Sequence, residues 1–272
     1  MTPTHWNPDF VIGLRLALRA RFASLSLWLL IALATVVLLA AQFSGRQPAT
    51  VALDVGLSAI RIALPIVVVL LVQELFAREF DRRYFLTSLA YPRPRHRLLL
   101  GRFAAAFTLL VALLAVMAIV LMVLVWFAGR GYTQGTPVAL DHHYLVTLAF
   151  VAVELFAVLA MGTLLAIAAS TPSFILIGTL AFVIAARSFS TIILLLTQQE
   201  SLVSNPELYR ESLGVLTYLL PDLGVLDMRG TALYGSMIFL PSDWALRILS
   251  VVSYGAALIG ISLWALQRKR FS

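Results

Sequence analysis

Ionisable side chains inside long apolar runs are the first places where this sequence could do chemistry. Glu154 lies in the run 144–169 and Arg187 in the run 174–197. A charge held in hydrocarbon is costly unless paired, so each marks either a site or a structural pair. Each stands ten residues from the same end of its run, about 15 Å below one surface at 1.5 Å per residue. The link 170–173 is too short for the two runs to be anything but antiparallel neighbours. Glu154 and Arg187 are therefore expected within salt-bridge reach, in a structural pair or against a substrate. Arg61, Arg247 and Glu74 stand nearer the ends of their runs and are expected to snorkel.

Asp141-His142-His143 is the only cluster that resembles metal ligands. Neighbouring histidines are expected to diverge on a helix, and no second carboxylate is fixed nearby. The cluster reads as an interfacial polar flank, with no metal assigned. There is no cysteine, which excludes disulfides, thiolate metal sites and a cysteine nucleophile. No G-x-S-x-G or H-E-x-x-H spacing occurs, so no catalytic residue is assigned. A Walker-A loop needs a lysine to reach nucleotide phosphates, in G-x-x-x-x-G-K-[ST]. The one lysine among 20 basic residues is Lys269, with no such loop before it. The chain is thus expected to be no enzyme and to bind no cofactor itself. Any ATP that drives it must be hydrolysed by another polypeptide.

The elements that must position these residues follow from composition. Of 272 residues, 61% are hydrophobic and 12% charged, against roughly 25% charged in an ordinary soluble domain. A helix needs about 20 mostly apolar residues to cross a membrane. Six runs qualify, at 24–43, 55–76, 103–128, 144–169, 174–197 and 244–266. The expected fold is an all-α polytopic membrane protein forming one transmembrane domain over 1–272. The first run is longer than a signal-peptide core and is expected to be retained. With the N-terminus inside, the inner pieces carry thirteen Lys and Arg and the outer pieces four. That bias places both termini on the cytoplasmic side. The formal charge of +7 then records topology and contact with anionic membrane lipid, and nucleic acid is not needed to explain it.

Three pieces lie outside the runs. Asn7-Pro8 starts a helix over 7–23, with Phe10, Leu14 and Leu18 four apart and Arg15 and Arg19 on an adjoining face. It is expected to lie along the membrane surface before the chain turns into the first span. Segment 77–102 holds seven basic residues and is broken by Pro92 and Pro94. Segment 198–243 carries a second Asn-Pro start, Asn205-Pro206, and apolar stretches too interrupted to span. Pieces of that kind are expected to be re-entrant or interfacial.

This layout resembles the permease subunit of an ABC-2 type exporter. The likeness covers essentially the whole chain and rests on topology together with Glu79, Thr87-Ser88-Leu89, Pro92-Arg93 and Gly101-Arg102 in the inner loop. The sequence departs from the family's common Gly-Thr at Tyr84-Phe85-Leu86. The resemblance implies an N-terminal elbow helix bearing Arg15 and Arg19, and outer re-entrant helices between spans five and six. It also implies a cytoplasmic coupling helix between spans two and three. Glu79, Phe80, Asp81, Arg82, Arg83, Tyr84, Phe85 and Arg93 would meet a separate ABC ATPase dimer holding ATP and Mg. A second permease, identical or homologous, would complete the assembly in a bacterial inner membrane. The competing reading is an ion-coupled secondary transporter or channel that uses Glu154 and Arg187 directly.

Overall fold

Every regular element in the computed structural model is helical among the residues it describes, which are 8–77, 95–130, 138–168, 171–198 and 220–268. The elements are α1 (Pro8–Ala17), α2 (Ala23–Phe43), α3 (Pro48–Val72), α4 (Arg95–Gly129), α5 (His142–Ala168), α6 (Pro172–Gln198), α7 (Arg229–Tyr234) and α8 (Trp244–Arg268). Short 3-10 turns at Gly224–Leu226 and Met237–Phe239 flank α7. Two π-helical turns, Leu18–Phe22 and Gln73–Ala77, follow α1 and α3. Among the described residues six helices are long and apolar enough to cross a membrane, the architecture of a multi-pass membrane protein.

Three boundaries differ from expectation. α4 begins at Arg95, eight residues before position 103, so residues 95–102 of the expected inner segment are helical and continuous with the third span. α3 begins at Pro48, seven residues before position 55, because proline is favoured in a first helical turn and Gln47 supplies the non-helical entry. The acidic residue Asp54 is thereby drawn into a membrane-length helix. At the N-terminus, no turn separates the expected elbow from the first span. The backbone stays helical at Ala17 and Ala23 on either side of the π turn. Arg15 and Arg19 are exposed on this stretch. The expected coupling positions 79–85 and 93, like the Asn205-Pro206 start, lie outside the described residues.

Helices α3 and α5 are the most enclosed of the six, while α2 and α8 leave most of their surface uncovered. α3 packs against α2, α4 and α5, and α5 packs against α6 and α8. Phe156 of α5 fastens two neighbours at once. Its ring meets Phe103 and Phe107 of α4 edge-on, at 5.6 and 5.7 Å, and covers Gly255 of α8. Such ring pairs add about 0.5–1.5 kcal/mol beyond burial. α1 packs on the start of α4 through small residues, with Gly13 against Ala105 and Gly101 against Asp9 and Phe10. Close backbone approach through glycine is the usual device where lipid removes the hydrophobic drive to associate.

A Cβ at Gly101 would stand 3.1 Å from the Phe10 nitrogen and 3.2 Å from the Asp9 carbonyl carbon, neither of which can swing away. Gly101→Ala should therefore push α1 off α4 and cost about 1–3 kcal/mol. Gly260→Ala, with nothing within 4 Å, should be neutral or slightly stabilising. Melting temperatures of the two variants in one detergent check this; equal effects would mean that α1 is not seated on Gly101.

Candidate functional site: a buried charge network

Pro65 lies inside α3. Having no N–H, it cannot bond the carbonyl four residues back, which belongs to Arg61. A bare carbonyl in a membrane interior is costly, so a donor must come from elsewhere. Arg187 of α6 supplies it, donating from Nη2 to the Arg61 oxygen at 2.8 Å. The same guanidinium donates from Nε to Glu154 Oε1 of α5 at 2.6 Å. The expected Glu154–Arg187 contact is thus present, with a backbone carbonyl as a second acceptor.

Arg61 does not snorkel. Its side chain is 9% exposed and turns toward α5, with Nε 3.2 Å and Nη2 3.1 Å from Glu154 Oε2. The early start of α3 explains the correction. Arg61 follows Pro48 by thirteen residues, Glu154 follows His142 by twelve, and Arg187 precedes Gln198 by eleven. At 1.5 Å per residue all three lie about 17–20 Å from the same end of the bundle, here called the Pro48 end. Glu154, 2% exposed, thus has one guanidinium on each oxygen.

The network continues toward that end. Arg61 Nη1 reaches Asp227 Oδ2 at 2.5 Å. Asp227 binds Arg229 through both carboxylate oxygens, and Arg229 Nη1 reaches Asp54 Oδ1 at 3.1 Å and the Ser58 hydroxyl. Three arginines face three carboxylates, on α3, α5, α6 and the segment around α7. Burial pushes the Asp227 carboxyl upward, but the Arg229 hydrogen bonds and the nearby Arg61 and Arg229 charges outweigh it and hold it below the ordinary aspartate range. The Asp227 hydrogen bond raises Arg229 in turn.

Segment 220–243 is seated in the bundle by more than charge. Leu223, Leu226, Met228, Ala232 and Leu233 are buried. The Leu223 N–H donates to the Ala186 carbonyl at 3.0 Å, and the Ala139 N–H to the Ala232 carbonyl at 3.1 Å. The Thr147 hydroxyl of α5 lies 2.9 Å from both the Met228 carbonyl and the Thr231 hydroxyl. Sequence reading missed Arg61, Asp227, Arg229 and Asp54 as members of one network. Pro65 was the available signal for Arg61, whose carbonyl it frees; no comparable signal marks Asp227, Arg229 or Asp54.

Asp141 caps α5. Its carbonyl accepts from the Tyr144 and Leu145 N–H groups, and its carboxylate from the His143 N–H. The two histidines do not diverge. Their rings lie 3.9 Å apart, with Nδ1 atoms 3.3 and 2.7 Å from the Asp141 oxygens. At the first turn both side chains can fold back on the cap. The His143 side-chain and backbone hydrogen bonds hold Asp141 below its usual range. Among the described residues this is the only trio whose donor atoms converge enough to hold a metal, all within 4.8 Å. The hydrogen bonds account for that convergence. Arg247 pairs with Asp243 at 2.9 Å at the head of α8, near the boundary where snorkelling was expected.

No protein-family model matches the chain, and no curated protein matches it.

Glu154→Gln should leave two guanidiniums, one buried and one partly buried, each short of a carboxylate and cost about 3–5 kcal/mol. Glu154→Gln with Arg187→Gln should recover much of this, because Arg61 keeps Asp227. Glu154→Gln with Arg61→Gln should recover less, because Arg187 then keeps only a carbonyl. Melting of the purified variants ranks them, and equal recovery would break the assigned connectivity.

Asp227 carries a pH consequence. Its depressed native pKa gives stability that is complete above the ordinary aspartate range and is lost as pH falls through the native value. The melting difference between wild type and Asp227→Asn should be full at neutral pH and shrink on acidification. A difference that grows on acidification would reverse the sign.

Proposed function

We propose that the chain is the transmembrane permease subunit of an ATP-driven ABC-2 type exporter, moving a substrate from the cytoplasm or inner leaflet. What carries the reading is the long connection before α8. Its described part, 220–243, forms short helical pieces packed on α5 and α6, which is compatible with outer re-entrant helices. The Arg-rich connection between α3 and α4 supports it further, in the place of a coupling segment; α1 occupies an elbow's place in the sequence and packs on the start of α4, though it runs into α2 without a turn. Both termini are then cytoplasmic, in a bacterial inner membrane. ATP and Mg belong to a partner ATPase dimer, since this sequence has no Walker-A lysine. A second permease, identical or homologous, completes the transporter.

In this reading nucleotide-driven closure of the ATPases pushes on Glu79–Phe85 and Arg93, and α1 passes the movement to α4. The ion-coupled alternative needs Glu154 to take and release an ion. Both its oxygens hold guanidiniums, which counts against such a cycle.

Reversal of Arg82 and Arg83 to glutamate should abolish co-purification of an ATPase while leaving membrane insertion intact. The check is affinity purification of the chain from its native membrane, with ATP turnover measured on the eluate. Unchanged co-purification and turnover in the variant would overturn the assignment. Flux in chain-only vesicles driven by an ion gradient would favour the alternative.

A further inference from the structure

At the Pro48 end every described carboxylate is engaged. Asp54 holds Arg229, Asp227 holds Arg61 and Arg229, and Asp243 holds Arg247. Asp141 holds the two histidines, and Asp222 accepts the Gly224 and Val225 N–H groups. Two guanidiniums at this end have no acidic partner among the described residues. They are Arg46, exposed in the turn before α3, and Arg130, exposed at the end of α4. Arg130 lies over the Trp126 ring, 3.2 Å from its centroid, with the Phe127 ring 5.4 Å away. A cation on an aromatic face keeps its hydrogen-bond donors directed outward, around the ring's edge.

Beside Arg130 is a shallow, open cavity of about 300 Å³ between the start of α3, the end of α4 and the lead into α5. Apart from Arg130 and Gly129, its walls are Ala49, Val125, Trp126, Val138 and Leu140. The volume sits at the lower limit for a small-molecule pocket, enough for part of an apolar chain with its polar end outside. Trp126 and Phe127 are half exposed, at 50% and 56%, where a membrane-crossing helix ends. Aromatic residues in that position mark the headgroup level of the bilayer. The molecule that meets such a place has an anionic head and an apolar tail.

We infer that the Arg130 guanidinium and the apolar cavity beside it form a binding site for one anionic phospholipid. The phosphate pairs with Arg130, Arg46 adds positive potential from the adjoining turn, and an acyl segment enters between Ala49 and Val138. An inorganic anion would satisfy Arg130 but leave the cavity unfilled. A zwitterionic lipid would meet both without a net charge to favour it.

The test is native mass spectrometry of the full chain, purified in detergent and titrated with phosphatidylglycerol or phosphatidylcholine of equal chain length. One phosphatidylglycerol should bind several-fold more tightly than phosphatidylcholine. Arg130→Gln should weaken phosphatidylglycerol about tenfold, the loss expected from one charge-assisted hydrogen bond. Val138→Trp, which fills the cavity, should weaken both lipids. Arg97→Gln, an exposed arginine at the other end of α4, should change neither. Equal binding of the two lipids by wild type, or unchanged binding by Arg130→Gln or Val138→Trp, would overturn the site. Displacement of the lipid by inorganic phosphate alone would overturn the role of the cavity. Should Arg130→Gln fail to fold, Arg130→Lys replaces it, with an expected intermediate loss because the planar stacking group is gone.

Discussion

The carbonyl that Pro65 leaves without a donor is the constraint around which the interior is arranged. In water such a group would find solvent; in a membrane-crossing helix it must find protein. Arg187 answers it and thereby brings a full positive charge to the middle of the bundle. That charge requires a carboxylate, and Glu154 is placed for it one helix away. Glu154 in turn accepts from Arg61, the residue whose own carbonyl began the sequence of needs. The loop closes on itself. Each group removes the desolvation cost of the next, and removal of one member strands at least one other.

Closure has a consequence for the segment before α8. Arg61 is shared between Glu154 inside the bundle and Asp227 outside it, so the network reaches the Pro48 end as a continuous chain of ion pairs. Exposure rises along it, from 2% at the Glu154 side chain through 27% at Asp227 to 50% at Asp54. The innermost pairs are poorly screened, whereas the outermost sit where water and salt weaken a pair to about 1 kcal/mol or less. The outer pairs therefore align the segment more than they hold it. Holding falls to the buried Leu223, Leu226, Met228 and Leu233 side chains, each worth about 1.5–3 kcal/mol when fully enclosed.

The six spans were legible because bilayer thickness sets a length that apolar composition must meet, though two of them, α3 and α4, begin earlier than hydropathy places them. The Pro48 start is the clearest case. Hydropathy passes over Asp54 and begins the span after it, yet the helix starts at Pro48 and takes Asp54 in, where Arg229 meets it. The Glu154–Arg187 contact was readable for a related reason, since a four-residue link fixes which helices are neighbours. Arg61 was not readable in that way. Its partner lies 93 residues away on a helix that no short connection ties to α3. The histidines next to Asp141 were misread because an ideal helix was applied to a first turn, where the cap residue sets the directions.

The near-absence of lysine acquires a structural meaning from these contacts. Arg187 serves a carboxylate and a carbonyl, Arg61 two carboxylates on different elements, and Arg229 two carboxylates and a hydroxyl. At the opposite end Arg102 donates to the Leu75 carbonyl at 2.8 Å. That carbonyl lies in the π turn that follows α3. Asp9 of α1 adds its attraction to Arg102, so one buried cation joins α1, α3 and α4. A guanidinium does this because five donors are spread over a rigid plane and because it keeps its charge when desolvated. A lysine ammonium is a point charge that sheds its proton under the same burial. A bundle in which Pro65 leaves a carbonyl without its helical donor, beside carboxylates that must stay ionised, selects arginine at the positions that serve both.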